Sequence, residues 1–411
     1  MRSQESKYTD MQFLLPTGVA PSNGLFNSPL AQQLQPLQPH GNSPALPQSI
    51  VNSNPVHGLK RALNFNADYG GCGYWRMLWP EMLLNMNQLA VIGSSTAMIF
   101  DQRYYTEAQT VRIQRQAVPA QLQFTKYLRS VSDSMPQPFK LIYEIDDIVF
   151  RNDIPDYNAC KYAFDNPIIE QTSLDIMKMC DEITVTCDFM KDYYQNKTGV
   201  NAKVVPNYVP RFWMDRFYSG QKIADRYERN KKRPRIGYFG SGTHTDAKHV
   251  ANHKDDFEHI IEAVIKTRKD FKWVFTGTIP YALREFIKSG DIEYYPWTSL
   301  ENYPYAIDKA DVSITIAPLQ DNTFNKAKSN IKYLEAGCFG LPCICQDLVT
   351  YNGSPLKFKS GDDMIDTIKK LTTDRQLYTK HSKMARSYAE TMWMEDHLDE
   401  YVKLYKVEKN N

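Results

Sequence analysis

The sequence lacks any run of about 18 apolar residues, the length that a membrane-spanning helix needs. Its start also lacks a basic segment followed by an apolar stretch, so we expect no secretory signal peptide. The 49 Lys and Arg residues nearly balance the 47 Asp and Glu residues, which leaves a formal net charge of +2. Such a balance excludes a strong overall field of the kind that attracts nucleic acid or membranes. We therefore expect a cytoplasmic protein without integral membrane contact.

Cysteine and histidine are both scarce. The seven cysteines form no Cys-x-x-Cys motif, which argues against a disulfide framework and against a zinc site. We expect free thiols and no bound metal. Histidine is absent from residues 58–243, so a side-chain proton acceptor in this stretch must be Asp, Glu, Cys, Lys or Tyr. Hydrophobic residues make up 42% of the 411 residues and charged residues 23%, so the chain can bury the cores of two globular domains.

The first 59 residues differ in composition from the rest. They hold eight of the 23 prolines and many Gln, Asn and Ser residues, as in QQLQPLQPHGNSPALPQ. Such a segment buries too little apolar area to offset its ordering entropy. We predict a disordered tail over residues 1–59. Two interpretations of it stay open: a solvated leader, or a carrier of short docking elements such as MQFLLP.

From residue 60 onward, strand-like segments alternate with loops and amphipathic helical segments. The strand candidates are residues 62–68, 89–93, 109–115, 139–145, 182–186, 203–206, 235–241, 271–277, 292–297, 310–318 and 341–345. Longer helices are predicted over about 252–268 and 325–339, and the closing segment over about 361–408 is predicted to be helical with a frayed Lys-rich end. This alternation predicts parallel sheets with helices on both faces. The predicted fold class is α/β, with two Rossmann-like βαβ domains facing across a cleft. The predicted boundaries are 60–210 for the first domain, 211–233 for a linker, 234–390 for the second domain, and 391–411 for a C-terminal helix returning to the first domain.

The predicted linker is basic. Residues 211–235 carry nine Lys or Arg residues and three acids, a local excess of six positive charges. Arg211, Trp213 and Arg216 are part of this strip, which also holds Phe212 and Tyr218. Such a strip can follow phosphates and stack a displaced base, which makes it a candidate nucleic-acid contact. A solvated linker with amphipathic packing is the alternative.

In open parallel sheets, ligands bind beyond the carboxyl ends of the strands. GGCG at 70–73 follows the first predicted strand, and its glycines permit a sharp turn with exposed N–H groups. We expect Tyr74 and Arg76 to point into the cleft, although a plain tight turn is the alternative. The candidate acceptor-side residues are Gly71, Gly73, Tyr74 and Arg76.

Three carboxylates crowd the end of the fourth predicted strand. Their mutual repulsion is tolerated where a ligand hydroxyl or a cation uses them. A helix cap or a loop cluster of acids is the alternative interpretation. The candidate catalytic residues are Glu144, Asp146 and Asp147.

Two segments of the second half have features of a nucleotide site. GSGTH at 240–244 supplies N–H and O–H donors for a diphosphate at a strand-to-helix turn. In APLQDNTFNKAKSNIKYLEAG at 317–337, two lysines and a Glu share one predicted helix face, where the carboxylate can accept two ribose hydroxyls. A satisfied loop histidine and a solvated helix face are the alternatives. The candidate donor-binding residues are Gly240, Ser241, Gly242, Thr243, His244, Asn325, Lys328, Ser329, Lys332 and Glu335.

With these segments the chain resembles glycosyltransferases of the GT-B type over roughly residues 60–400. RIGYFGSGTH, VVPN and the block 317–337 are similar to the donor-domain and inter-domain segments of that family, and GGCGYWR and YEIDD to its acceptor-domain segments. In the retaining E-x7-E pattern, the second Glu corresponds to Glu335, whereas Ala327 stands in the place of the first. The frequent acceptor-domain His of the family is missing, which leaves the 144–147 cluster in its place.

The resemblance implies transfer of a sugar from a nucleotide sugar, a UDP-sugar, to an acceptor hydroxyl. Lys328, Lys332 and the Ser241–His244 loop would stabilise the leaving diphosphate, so no metal would be required. The proton acceptor would be a carboxylate of the 144–147 cluster or the donor phosphate itself.

The acceptor is open at this point. GGCGYWRMLWPEMLL resembles tailed-phage glycosyltransferases, some of which modify 5-hydroxymethylcytosine in double-stranded DNA; in that case the protein would work in the host cytoplasm. Two alternatives stay open: transfer to a surface polysaccharide or lipid-linked glycan, and a sugar-nucleotide epimerase or binding protein that transfers nothing.

Overall fold

The structure is a computed structural model that describes residues 60–164, 166–246 and 254–405. The predicted tail over residues 1–59 lies outside the described residues, as do the first two residues of the helix predicted over 252–268 and the last residues of the chain.

Six parallel strands form the first sheet, in the order β2-β1-β3-β4-β5-β6. All five residues of β3 are buried, because helices cover both faces of the sheet. The elements of this first unit are β1 (Lys60–Phe65), α1 (Gly71–Gly73), a π-helix (Tyr74–Leu78), α2 (Trp79–Met86), β2 (Ala90–Ser95), β3 (Thr110–Gln114), α3 (Pro119–Ser134), β4 (Lys140–Glu144), α4 (Cys160–Ala163), α5 (Pro167–Lys178), β5 (Glu182–Val185), α6 (Asp188–Thr198) and β6 (Ala202–Val204).

Six further parallel strands form the second sheet, in the order β12-β11-β10-β7-β8-β9. The elements after β6 are α7 (Arg211–Met214), α8 (Gly220–Arg229), β7 (Arg235–Gly240), α9 (Ile261–Thr267), β8 (Lys272–Gly277), α10 (Glu285–Lys288), β9 (Ile292–Pro296), α11 (Tyr303–Ala310), β10 (Ile314–Ala317), α12 (Thr323–Lys326), α13 (Ile331–Cys338), β11 (Cys343–Gln346), β12 (Lys357–Phe358), α14 (Gly361–Thr373), α15 (Arg375–Glu390) and α16 (Leu398–Leu404). The second sheet and the helices packed on it make up the second unit.

The predicted α/β class with two parallel sheets is confirmed, and every predicted strand overlaps an observed one. Three predictions are wrong in detail. Gly71–Gly73 belong to a helix rather than a loop, and the helix predicted over 252–268 is observed only as α9. The helix predicted over 325–339 is split, because α12 ends at Lys326 and α13 begins at Ile331.

The chain passes between the two units twice. The first passage follows β6, and the second joins α15 to α16, which packs against α2 of the first unit. Val209 and Trp393 form a parallel β-bridge where the two passages run side by side. The Val209 N–H donates to the Met392 carbonyl at 2.9 Å, and the Met394 N–H donates to the Val209 carbonyl at 2.9 Å.

Candidate active site

The loops that follow the strands of the two sheets meet across a cleft. Asp147, in the loop after β4, forms an ion pair with Lys328, which lies between α12 and α13. The Asn158 amide of the first unit donates to the Thr243 carbonyl of the second unit at 2.9 Å. Strand ends of both sheets therefore contribute side chains to one site, as expected for parallel sheets.

Lys328 carries a positive charge into this cleft. Its Nζ lies 3.0 Å from Asp147 Oδ1 and 4.4 Å from the centre of the Phe324 ring. Burial opposes the charged form of Lys328, but Asp147 raises its pKa above the ordinary lysine value. An ammonium ion held in this way can bind an anion in exchange for the carboxylate.

Lys332 and Glu335 lie on one face of α13, beside a small pocket. The Lys332 ammonium donates to the Phe239 carbonyl at 2.9 Å and lies 4.7 Å from the centre of the Tyr238 ring. Glu335 Oε2 accepts a hydrogen bond of 2.8 Å from the Tyr303 hydroxyl. The pocket is lined by Phe239, Ile307, Thr315, Lys332, Glu335 and Leu341.

Burial shifts the pKa values of Lys332 and Glu335. Burial lowers the pKa of Lys332 to about 8 and raises the pKa of Glu335 to about 7, because an apolar environment disfavours both charged forms. A ligand that brings a negative charge to Lys332 and hydroxyl groups to Glu335 would favour the charged form of each.

Gly240 allows β7 to approach Lys332 closely. A Cβ at Gly240 would lie 2.5 Å from the Lys332 Nζ and 2.5 Å from the Tyr238 hydroxyl. The loop that follows contains a short 3₁₀ turn at Gly242–His244. The Ser241 and Thr243 hydroxyls lie 3.0 Å apart.

Asp256 organises the buried side of this loop. Its Oδ2 lies 2.7 Å from His244 Nδ1, and its Oδ1 accepts from the Tyr157 hydroxyl at 2.7 Å. Burial and the charge of Lys332 lower the pKa of His244 to about 4, so the neutral ring donates its Nδ1–H to Asp256. His244 is thus held in one orientation by Asp256.

Asn325 is part of the same network and does not face the cleft. It is fully buried, and its amide nitrogen donates to Asp256 Oδ1 at 2.6 Å and to the Gln320 carbonyl at 3.0 Å. The predicted direct contact of Asn325 with a donor is therefore corrected to support of the His244 loop.

Glu144 and Arg76 are both withdrawn from the cleft. Arg76 Nε donates to Glu144 Oε1 at 2.7 Å, and Arg112 Nη2 donates to Glu144 Oε2 at 2.6 Å. Thr184 also donates to Glu144, which is fully buried. A buried carboxylate held by two guanidinium groups is a structural ion network, since losing the carboxylate would leave two buried positive charges uncompensated. The expectations that Glu144 is catalytic and that Arg76 faces the acceptor are corrected.

This buried network continues into the second unit. Arg76 Nη1 donates to Val205 O at 2.6 Å and to Asn207 Oδ1 at 2.9 Å. The Asn207 amide in turn donates to Ser329 Oγ at 2.9 Å, which leaves the Ser329 hydroxyl proton free to point elsewhere. Arg76 thus supports the position of Ser329, one of the predicted donor-binding residues.

The glycines of GGCG have unequal surroundings. A Cβ at Gly73 would lie 2.0 Å from the Asp68 carbonyl oxygen, whereas a Cβ at Gly71 would meet nothing within 4 Å. Only Gly73 is therefore required by the packing. Tyr74 follows in the π-helix and packs edge-on against Trp79, with ring centres 5.6 Å apart.

Five of the nine basic side chains of the strip form ion pairs within the protein. Arg211 Nη2 lies 2.6 Å from Asp396, and Arg216 lies over the Phe217 and Tyr305 rings. Trp213 is buried, with its ring 4.5 Å from that of Trp79, so it cannot stack on a base. The predicted use of Trp213 as a nucleic-acid contact is corrected. Other charges of the strip pair with carboxylates, namely Lys222 with Asp308, Arg226 with Asp308 and Asp311, Arg229 with Asp311, and Arg235 with Glu293.

Two features are absent from the described part of the chain. Within residues 60–164, 166–246 and 254–405, no group of three or more His, Cys, Asp or Glu side chains is placed to hold a metal ion. In the same part of the chain, no helix combines the length and the apolar character needed to span a membrane.

No protein-family model matches the sequence, and no curated protein matches it at a significant level. Solved structures do resemble it. HepE from Anabaena in complex with UDP has 9% sequence identity and a TM-score of 0.54, over 84% of this chain and 99% of that chain. Sucrose-phosphate synthase from Thermosynechococcus elongatus has 10% identity and a TM-score of 0.57, over 84% and 98% of the two chains.

A third similar structure contains DNA. It is an alpha-glucosyltransferase in complex with UDP-glucose and DNA containing an abasic site, with 10% identity and a TM-score of 0.56, over 85% of this chain and 100% of that chain. At such low identities these likenesses show the fold alone, which is the GT-B fold.

Proposed function

We propose that the protein is a glycosyltransferase that moves a sugar from a nucleoside-diphosphate sugar, a UDP-sugar, to an acceptor hydroxyl. One observation carries the proposal: Lys328, Lys332 and Glu335 converge at the carboxyl edge of the second sheet, opposite Asp146 and Asp147 of the first. Two ammonium groups and a carboxylate are the groups that a diphosphate and a ribose require. The presence of UDP or UDP-glucose in similar GT-B structures supports this choice of donor.

Each group has a separate task in this proposal. Glu335 accepts hydrogen bonds from two ribose hydroxyls, while the Tyr303 hydroxyl donates a further hydrogen bond to Glu335 Oε2. Lys328 and Lys332 stabilise the charge that develops on the diphosphate as the bond to the anomeric carbon breaks. N–H and hydroxyl groups of the Ser241–His244 loop add neutral donors. The two ammonium groups stabilise the negative charge of the diphosphate in place of a divalent cation.

The ion pair between Lys328 and Asp147 gives this site a defined ligand-free arrangement. A bound diphosphate competes with Asp147 for Lys328, because its charge is larger and its oxygens accept charge-assisted hydrogen bonds. Donor binding therefore releases the Asp147 carboxylate at the side of the cleft where the acceptor enters. In this way the donor site and the acceptor side are coupled.

The test is a binding and turnover assay on the purified full chain. UDP, GDP and inorganic phosphate are titrated by calorimetry, and a panel of nucleotide sugars is then assayed for release of the nucleotide. We expect UDP to bind and one UDP-sugar to be consumed. A chain that binds none of the nucleotides would contradict the proposal. Donor epimerised without release of the nucleotide would identify the alternative, an epimerase on the same fold.

For the acceptor we propose 5-hydroxymethylcytosine in double-stranded DNA as the first candidate. The likeness to an alpha-glucosyltransferase bound to DNA favours it. Because Trp213 is buried and Arg211 is paired with Asp396, DNA contacts at these two positions are not part of the proposal. The assay uses hydroxymethylcytosine DNA, unmodified DNA and no acceptor, with mass spectrometry of the digested nucleosides. A sugar mass on the modified base alone supports this acceptor, and transfer only to a glycan panel points to the polysaccharide or lipid-linked alternative.

A further inference from the structure

Arg115 has an unusual backbone conformation at the end of β3. Its φ is +47°, in the left-handed region that side chains other than Gly rarely adopt. Two other described residues with a side chain share this feature, Gln88 and Asp311, and both follow helices, where a left-handed residue is common. Arg115 instead follows a strand, and its N–H donates to the Glu144 carbonyl at 3.0 Å. Such conformations persist where the surrounding structure enforces them, often at functional sites.

The left-handed turn directs the Arg115 side chain into a buried group of carboxylates. The guanidinium forms an ion pair with Asp68, and its Nε lies 3.8 Å from Asp146 Oδ1. Asp68 is satisfied, because its other oxygen accepts the Gly70 N–H at 2.7 Å. In contrast, Asp146 Oδ1 and Arg115 Nε are buried without a hydrogen-bond partner.

The three neighbouring carboxylates are therefore not equivalent. Glu144 is fully bonded to Arg76 and Arg112, and Asp147 is engaged by Lys328. Asp146 alone of these three has a buried oxygen that lacks a hydrogen-bond donor, namely the Oδ1 that faces Arg115, and its side chain as a whole is 11% exposed. A ligand hydroxyl can therefore reach the exposed part of this carboxylate while Oδ1 stays beside Arg115.

We propose that Arg115 is a positioning residue that orients Asp146, and that Asp146 binds the attacking hydroxyl. The inference rests on the proposed glycosyltransferase function and deepens it. As the hydroxyl oxygen bonds to the anomeric carbon, the bond from that carbon to the phosphate oxygen breaks. The electron pair leaves on the nucleoside diphosphate, and the hydroxyl proton passes to Asp146.

The electrostatic surroundings of Asp146 decide the sign of the effect. A positive charge beside a carboxylate favours its ionised form, and a negative charge disfavours it. Removing the charge of Arg115 should therefore hinder Asp146 as a proton acceptor at low pH, and removing the charge of Asp68 should help it. The charged and titratable groups that face Asp146 are Asp68, Cys72, Arg76, Arg115, Asp147 and Cys160.

The experiment measures the pH dependence of kcat for hydrolysis of the UDP-sugar that the wild type consumes, without an acceptor, so that water attacks the sugar. At saturating donor, kcat reports the pKa values of the bound complex and not those of the free enzyme. In that complex the ribose hydroxyls keep Glu335 ionised, so its protonation does not shape the profile. Full-length wild type is compared with Arg115→Gln, Arg115→Lys and Asp68→Asn. We expect the low-pH limb of the kcat profile, here called the acid limb, to move to higher pH by about one unit or more in Arg115→Gln. It should stay near the wild-type position in Arg115→Lys and move to lower pH in Asp68→Asn.

A general loss of folding would not move the acid limb to higher pH in Arg115→Gln and to lower pH in Asp68→Asn. UDP affinity by calorimetry and the melting temperature serve as controls, since none of these residues faces the proposed donor site. An unmoved acid limb in Arg115→Gln together with a lower rate would overturn the inference and leave a structural role. If Arg115→Gln does not fold, an unmoved limb in Asp68→Asn overturns it equally.

Failure of the inference and failure of the proposed function give different results. If the wild type hydrolyses the donor but no variant moves the acid limb, only the role of Arg115 and Asp146 is rejected. Wild type that neither binds UDP nor consumes any nucleotide sugar rejects the proposed function and this inference with it.

Discussion

Lys328 Nζ lies 3.0 Å from Asp147 Oδ1, and this ion pair joins a residue of the second unit to a loop of the first. Both side chains keep some access to the cleft, with exposed fractions of 16% and 19%. The pair therefore bridges the two units at the point where the proposed donor and acceptor meet.

Replacing Lys328 with Ala should lower kcat by about a hundredfold, because the ammonium then no longer stabilises the leaving diphosphate. The measurement is nucleotide release at saturating donor. Lys326→Ala is the matched control, since Lys326 lies two residues earlier and pairs with Asp321 at 2.6 Å, outside the cleft. Equal losses of activity in the two variants would contradict the role of Lys328.

Replacing Glu335 with Gln should weaken UDP binding by about ten- to a hundredfold, because hydrogen bonds to a charged carboxylate are strong. Burial raises the pKa of Glu335 to about 7, and the ionised form is the better acceptor for ribose hydroxyls. Wild-type affinity should thus rise between pH 6 and pH 7.5, as the ionised fraction rises. Calorimetry with a UDP-sugar, whose diphosphate has no group that titrates over this range, checks the slope, and a slope retained in Glu335→Gln would count against the assignment.

UDP binding should be accompanied by proton uptake near pH 8.5. Burial lowers the pKa of Lys332 to about 8, so this side chain is partly neutral there. A diphosphate favours the ammonium form, which raises the pKa and draws a proton from the buffer. Calorimetry in two buffers of different ionisation enthalpy gives the number of protons. Lys332→Met should abolish the uptake, and an unchanged value in that variant would place the titrating group elsewhere.

Replacing Gly73 with Ala should destabilise the protein by about 1–3 kcal/mol, the usual cost of overpacking. The added Cβ would lie 2.0 Å from the Asp68 carbonyl oxygen, and this backbone group has to shift. Gly71→Ala, with nothing within 4 Å of its Cβ, should leave the melting temperature nearly unchanged. Thermal unfolding of both variants is the test, and equal melting temperatures would show that the Asp68 loop yields easily.

The strands could be predicted because parallel strands buried on both faces are nearly continuous apolar runs, as in ITIA of β10. β12 has two residues and gives no such run. The break between α12 and α13 has a tertiary cause that no helical periodicity reveals. The Thr350 hydroxyl donates to the Asn325 carbonyl at 2.6 Å, and Asn207 donates to Ser329 at 2.9 Å.

The candidate site could be located from motifs after strands, but the partners of its residues could not. Arg76 stands beside the glycine-rich motif, yet it bonds to Glu144, 68 residues away, and to Asn207, 131 residues away. Asp256 and Tyr157, which hold the His244 loop, belong to no recognisable motif. Arg115 is the last residue of the predicted strand 109–115, and its position at a strand end was the one signal that could have identified it.

The two paired passages at Val209 and Trp393 restrict how the cleft can open. A single connecting strand would permit rotation about many axes, whereas two strands hydrogen-bonded side by side resist twisting, since a twist shears their bonds. Bending about one line across both strands is the motion that keeps these bonds intact. The two units would therefore open and close along one path, so that each closure brings the same side chains of the cleft into contact.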